Sequence, residues 1–134
     1  MLIRLAILAG VALAVWALSW GMARYAANAR TPDRFDAADG GAGPAGPSAM
    51  LVTFSGPYCS ECEEVLPRLR EASAAHAVPL KVIDIKARPE LASKYDVRLT
   101  PTTLVVGSAG KVLAGWLGIP PDGAVEEALA AVAV

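Results

Sequence analysis

Between Arg4 and Arg24 the chain runs nineteen residues, Leu5 to Ala23, without a charged side chain. No other feature restricts its folding more, because a long uncharged run can satisfy its own backbone groups in an apolar medium only as a helix. At about 1.5 Å per residue, such a helix covers roughly the ~30 Å hydrocarbon core of a bilayer. Trp16, Trp20 and Tyr25 crowd its C-terminal end, and amphipathic aromatic rings favour a membrane–water interface. Residues 1–24 are therefore read as a single-pass N-terminal transmembrane anchor, with residues 5–23 in the lipid bilayer. Two other readings stay open. A cleaved signal peptide could end at Ala27-Asn28-Ala29, although its apolar core would exceed the usual ~7–15 residues; a buried helix of a soluble protein is the second. Arg4 on one side stands against Arg24, Arg30 and Arg34 on the other. That leans weakly toward a cytoplasmic working domain and leaves the side open.

The anchor explains why 54% of the residues are hydrophobic in a chain of net charge −1. Lys and Arg are scattered along it, so there is no basic stripe of the kind nucleic-acid binding needs. From Thr31 to Ser48 the composition turns to Gly, Pro, Ala and Asp. Gly40-Gly41 and Gly43-Pro44 interrupt any regular element, so residues 25–48 read as a linker, flexible with stiff points at Pro44 and Pro47. Arg34-Phe35-Asp36 could pack one aromatic ring onto the domain that begins at Ala49.

Residues 49–134 form the working domain. Ala49 to Ser55 is a near-continuous apolar run, which suits a strand buried on both faces. Val65, Leu66, Leu69 and Ala72 then recur at helical spacing up to about Ala75, with Pro67 inside the helix removing a hydrogen bond and kinking it. Leu80 to Ile85 reads as a second strand, and Pro89 starts a short helix. Thr102–Val106 and Lys111–Trp116 are joined by Gly107-Ser108-Ala109-Gly110 as an antiparallel hairpin. Pro120-Pro121-Asp122 opens a last helix, with Val125, Leu129 and Val132 toward the core and Ala128 able to join them. The order β-α-β-α-β-β-α predicts an α/β domain: a mixed sheet of about four strands covered by helices.

The only two cysteines stand at the first strand-to-helix junction, in Tyr58-Cys59-Ser60-Glu61-Cys62. The first turn of a helix presents unpaired N–H groups and the positive end of its dipole. A cysteine there has its thiolate favoured and becomes a nucleophile. A second cysteine one turn on can attack the resulting mixed disulfide. Cys59 is then the attacking thiol and Cys62 the resolving one. Other readings remain: two structural cysteines, a binding module without turnover, or a metal site. Zinc would want further Cys or His ligands, and the chain holds one histidine, His76. Two thiolates alone could carry Cu(I).

Beyond the pair, Pro67 follows Cys62 by five residues, Lys94–Thr102 leads through Thr100-Pro101, and Gly118 closes the last strand. In these features residues 49–119 resemble the thioredoxin family, whose Cys-Gly-Pro-Cys motif corresponds to Cys59-Ser60-Glu61-Cys62. The resemblance implies a thioredoxin-like fold and a cis Thr100–Pro101 bond packed against the cysteines. It also implies a substrate-binding surface at Tyr58, Thr100, Pro101 and Gly118, where a partner chain pairs like an added strand.

The chain departs from the family in four places. Tyr58 replaces the usual tryptophan. Thr53 stands where a buried aspartate assists proton transfer, and cannot act as a base. Glu61, Glu63 and Glu64 surround the helix start; carboxylates there suit the dipole but disfavour a neighbouring thiolate, which implies a reductant. The usual first strand and helix are missing. The expected function is a membrane-tethered thiol-disulfide oxidoreductase that reduces disulfides in protein partners and is recharged by an upstream reductase. It would need no cofactor beyond its own Cys59–Cys62 disulfide, and no metal. A redox-inert or Cu(I)-carrying module is the alternative from another class. A specialised reductant of the cytochrome c maturation type is the narrower variant, disfavoured by the short Cys62-to-Pro101 spacing.

Overall fold

A computed structural model describes residues 1–27, 29–41 and 49–132. The expected cleavage point at Ala27-Asn28-Ala29 includes Asn28, and the stiff points Pro44 and Pro47 also fall outside the described residues. Helix α1 spans Leu2–Ala27. The working domain continues as β1 (Ala49–Ser55), α2 (Ser60–His76), β2 (Leu80–Asp84), α3 (Pro89–Lys94), β3 (Thr102–Gly107), β4 (Val112–Leu117) and α4 (Ala124–Val132).

The strands lie in the order β2-β1-β3-β4. β2 runs parallel to β1, while β3 is antiparallel to both β1 and β4. This is the mixed four-stranded sheet that the element order predicts. β1 is hydrogen-bonded on both edges and all but its last residue are buried, as its unbroken apolar run requires. Its side chains alternate between the two faces. Met50, Val52 and Phe54 join Ile83, Leu91, Tyr95, Leu104 and Val106 on one face. Leu51 joins Val65, Leu69, Val105, Val125 and Leu129 under α2 and α4 on the other. Helix α2 continues through Pro67, although that residue has no N–H to donate to the Glu63 carbonyl.

Two details differ from the sequence reading. The last helix begins at Ala124 instead of Pro120, because Gly123 takes φ +77°, a left-handed conformation incompatible with a right-handed helix. Ala124 N–H instead closes a turn onto the Pro121 carbonyl at 3.1 Å. The second difference is larger. The aromatic expected to pack onto the domain, Phe35, does so, but more of the stretch read as linker is folded onto the domain with it.

Phe35 is only 1% exposed. Its ring stacks on Tyr95 at 4.9 Å and meets Phe54 edge-on at 6.2 Å. Its N–H donates to the Gly110 carbonyl at 2.8 Å, and Val112 N–H donates to the Asp33 carbonyl at 3.0 Å. Arg34 thus forms an antiparallel bridge with Lys111. Gly110 sits at φ +74°, and any side chain on it would collide with the Phe35 carbonyl. The Thr31 side chain similarly occupies the space that a Cβ on Gly115 would need. Asp36 then caps a 3₁₀ turn over Ala37–Gly40. Residues 31–41 act as a strap across the α3 face of the sheet, bridged to the start of β4.

The strap is closed by Asp39, which accepts hydrogen bonds from Lys94 Nζ at 2.6 Å and from the Tyr95 hydroxyl. The Tyr95 oxygen in turn accepts from Asp36 N–H at 2.9 Å. Lys94 first and Tyr95 second hold the Asp39 carboxyl below its ordinary value of 3.8. A lowered carboxyl contributes stability above its unfolded value and loses it as pH falls through the folded one. Asp39→Asn should therefore cost about 1 kcal/mol at pH 7, about 4–8 °C in Tm for a domain of this size. The difference from the unsubstituted chain should shrink progressively as pH falls from about 5 toward the lowered folded value. Thermal unfolding of the detergent-solubilised full chain from pH 3 to 7 measures it, and a constant offset across that range would contradict the assignment.

Candidate active site

The cysteine turn exists because β1 stops at Ser55. Gly56 and Pro57 carry the chain off the sheet, and Tyr58 takes a left-handed φ of +57°, an uncommon conformation for a side chain of this size. That turn aims Cys59 at the start of α2, where it is the N-cap with φ −103° and ψ 97°. Its sulfur accepts the Cys62 N–H at 3.2 Å, one of the donors that a helix start leaves unpaired. The Cys59 carbonyl accepts from Glu63 N–H at 3.3 Å to begin the helix. Cys59 and Cys62 are joined as a disulfide, with Cα atoms 5.2 Å apart. The two sulfurs are not equivalent. Cys59 is partly exposed, whereas Cys62, in the first turn of α2, is 3% exposed.

The Thr100–Pro101 bond is cis. Thr100 lies beside the cysteine turn, since a Cβ on Gly56 would meet its side chain at 3.6 Å. Thr102 Oγ donates to the Leu99 carbonyl at 2.7 Å and closes the loop around the proline. The Pro101 carbonyl accepts Gly118 N–H at 2.8 Å. Gly118 adopts φ +80°, and a Cβ there would lie 3.7 Å from Glu61 Oε2. One end of the sheet therefore gathers Tyr58, Cys59, Thr100, Pro101 and Gly118 from three separate segments. Tyr58 is fully exposed.

Thr53 shares a sheet face with Leu51, so its side chain enters the layer under α2. It is 1% exposed, and its hydroxyl bonds the hydroxyl of Thr103, its register partner on β3, at 3.1 Å. Each hydroxyl satisfies the other, which a buried polar group requires. Thr103 escaped the sequence reading because an alternating apolar strand gives no sign of which threonine it faces. The placement of Glu61 next to Gly118 escaped it too, since the two are far apart in sequence.

The thioredoxin family profile matches residues 45–130. The chain belongs to the thioredoxin family. It is 34% identical over 80 residues to the thioredoxin of Bacillus subtilis, a match covering 58% of this chain and 76% of that one. It is 26% identical over 76 residues to a protein disulfide-isomerase of Ricinus communis, which covers 52% of this chain but only 15% of the relative. In fold it is similar to mitochondrial thioredoxin 3 of Saccharomyces cerevisiae in its oxidized form. There the TM-score is 0.55 at 21% identity, over 63% of this chain and 78% of that one. This thioredoxin domain, with its cysteine pair at disulfide distance, is a thiol-disulfide oxidoreductase.

The unequal exposure of the pair gives a direct test. After reduction of the full chain, iodoacetamide should modify Cys59 at least about tenfold faster than Cys62, because reactivity follows thiolate character and access. Peptide mass spectrometry over time reads the two sites separately, and equal rates would contradict the arrangement.

Proposed function

We propose that this thioredoxin-family chain is a membrane-tethered reductant of disulfides in partner proteins. The observation that carries the reading is the partly exposed Cys59 at the N-cap of α2, bonded to a buried Cys62. In the reduced pair, the Cys59 thiolate attacks a substrate disulfide, forming a mixed disulfide and releasing one substrate thiolate, which takes up a proton. Cys62 then gives up its proton and attacks Cys59 Sγ. The second substrate sulfur leaves as a thiol, and the Cys59–Cys62 disulfide forms. Two electrons pass to the substrate, and an upstream dithiol reductase returns them. The substrate chain runs past Tyr58, Thr100, Pro101 and Gly118, with the backbone at Thr100 serving as an edge for strand addition.

Helix α1 supports the tether: Leu2–Tyr25 has a mean hydropathy of 2.2 and is exposed along its length. Trp16 and Trp20 stack at 6.2 Å, and the Arg24 guanidinium lies 4.2 Å over Trp20, a pairing suited to the interface. Alkaline carbonate extraction and the intact mass of the mature chain separate a retained anchor from a removed signal sequence. The acidic side chains at the helix start support the direction. They disfavour a thiolate at Cys59 and so favour its oxidised, disulfide partner state after one turnover.

Two measurements test the chemistry. Insulin reduction by the full chain in detergent should disappear in Cys59→Ser, while Cys62→Ser should accumulate a mixed disulfide visible on a non-reducing gel. Turnover surviving in Cys59→Ser would sink the reading. Glu61→Gln should speed alkylation of reduced Cys59 at pH 7 by about 2–5-fold. An unchanged rate would remove Glu61 from the control of redox direction.

A further inference from the structure

If α1 is the anchor, the distance from bilayer to active site is set by how much chain between them is free. The linker reading of residues 25–48 would give about 80 Å of extended chain between Tyr25 and β1. The strap cancels most of that length. Thr31 is seated on Gly115, Asp33 and Phe35 are hydrogen-bonded to Val112 and Gly110, and the Phe35 ring is buried. Because the strap and β1 are both seated on the sheet, the chain between them adds nothing to the reach. Only the six steps from Tyr25 to Thr31 remain, which span at most about 20–22 Å.

A second contact shortens even this. The Arg98 guanidinium lies 4.6 Å over the Tyr25 ring, and its Nη1 donates to the Tyr25 carbonyl at 3.4 Å. Tyr25 is in the last turn of α1, where carbonyls lack helical partners and the dipole is negative. A cation there is electrostatically favoured. Asp96 holds the same guanidinium from its other side at 3.0 Å. Arg98 is three residues from Pro101, so the substrate-facing proline lies within about 11 Å of chain from a residue touching the end of the anchor.

We propose that this enzyme works at the bilayer surface, and that its substrates are disulfides in the juxtamembrane segments of membrane-anchored proteins. The proposal rests on the membrane-tethered reductant reading above. It adds that the strap and the Arg98–Tyr25 contact deny the site disulfides far from the membrane, unless those disulfides can themselves diffuse to it. Two anchored partners confined to one surface meet at a raised effective concentration only where their reach overlaps.

The test uses the full chain reconstituted in phosphatidylcholine vesicles, reduced, with two palmitoylated disulfide peptides as probes. One carries its disulfide within about four residues of the lipid. The other carries it about 60 Å out on a stiff helical spacer of roughly 40 residues. The near probe should be reduced at least about tenfold faster. A variant with about 100 Gly-Ser residues inserted between Ala29 and Arg30, whose r.m.s. reach is about 50–60 Å, and with Arg98→Ala to release Tyr25, should bring that ratio close to 1 while reducing soluble insulin at the original rate. Equal rates on both probes for the unaltered chain would overturn the proposal, as would a ratio that the insertion leaves unchanged. Loss of insulin reduction as well would overturn the reductant reading itself, and release of the chain by carbonate would overturn the anchor.

Discussion

Strand β1 is hydrogen-bonded along both edges and buried on both faces, and the geometry of the site depends on where it ends. A strand so enclosed cannot slip, because a one-residue shift would turn its apolar set toward the wrong layer. Its end at Ser55 therefore fixes where the turn through Pro57 and Tyr58 begins. That turn sets Cys59 as the N-cap of α2. The partner strand β3 pairs Thr102 with Phe54, which places the cis Thr100–Pro101 bond beside the same turn. Neither cysteine position nor proline position is adjustable without disturbing the centre of the sheet.

A domain of this size has little surface to bury, and a lost element would ordinarily be costly. Here the strap adds to the core with eleven residues that form no strand or α-helix. One aromatic ring fills the space between Phe54 and Tyr95, two main-chain hydrogen bonds occupy part of the β4 edge, and Asp39 ties the segment to Lys94 and Tyr95. Covering an exposed edge also limits pairing with other chains. Because the strap lies next to α1 in sequence, the same contacts that complete the core decide how far the domain stands from that helix.

Among the described residues, no charged side chain is buried beneath α2. Thr53 and Thr103 hold each other's hydroxyls where a carboxylate would have to be kept ionised or protonated in a dry layer. The carboxylates of this site lie outside, with Glu61 reaching toward Gly118. The Glu61 charge lies at the surface beside the cysteines, where solvent screens it.

Much of this was legible in the residues themselves. Apolar periodicity placed every strand and helix of the domain to within a few residues, because burial on one or two faces leaves a direct imprint on sequence. The cysteine pair, Pro67, Pro101 and Gly118 marked the family, because each answers a local need for a thiol at a helix start or an unusual backbone. Asp39 with Tyr95, Thr53 with Thr103, Glu61 with Gly118 and Arg98 with Tyr25 left no such imprint. Each joins residues far apart in the chain, and an exposed or singly placed polar residue looks the same whether or not it has a distant partner. The Gly-rich strap is the clearest case. Its composition describes a segment without regular structure, and that is correct locally; only packing against Tyr95, Gly110 and Gly115 decides that it is ordered. By itself the sequence determined a thioredoxin-family redox domain behind an apolar helix. Tertiary structure alone decided how that domain is closed and how little free chain separates it from the apolar helix, since both depend on contacts whose energy comes from neighbours that sequence distance conceals.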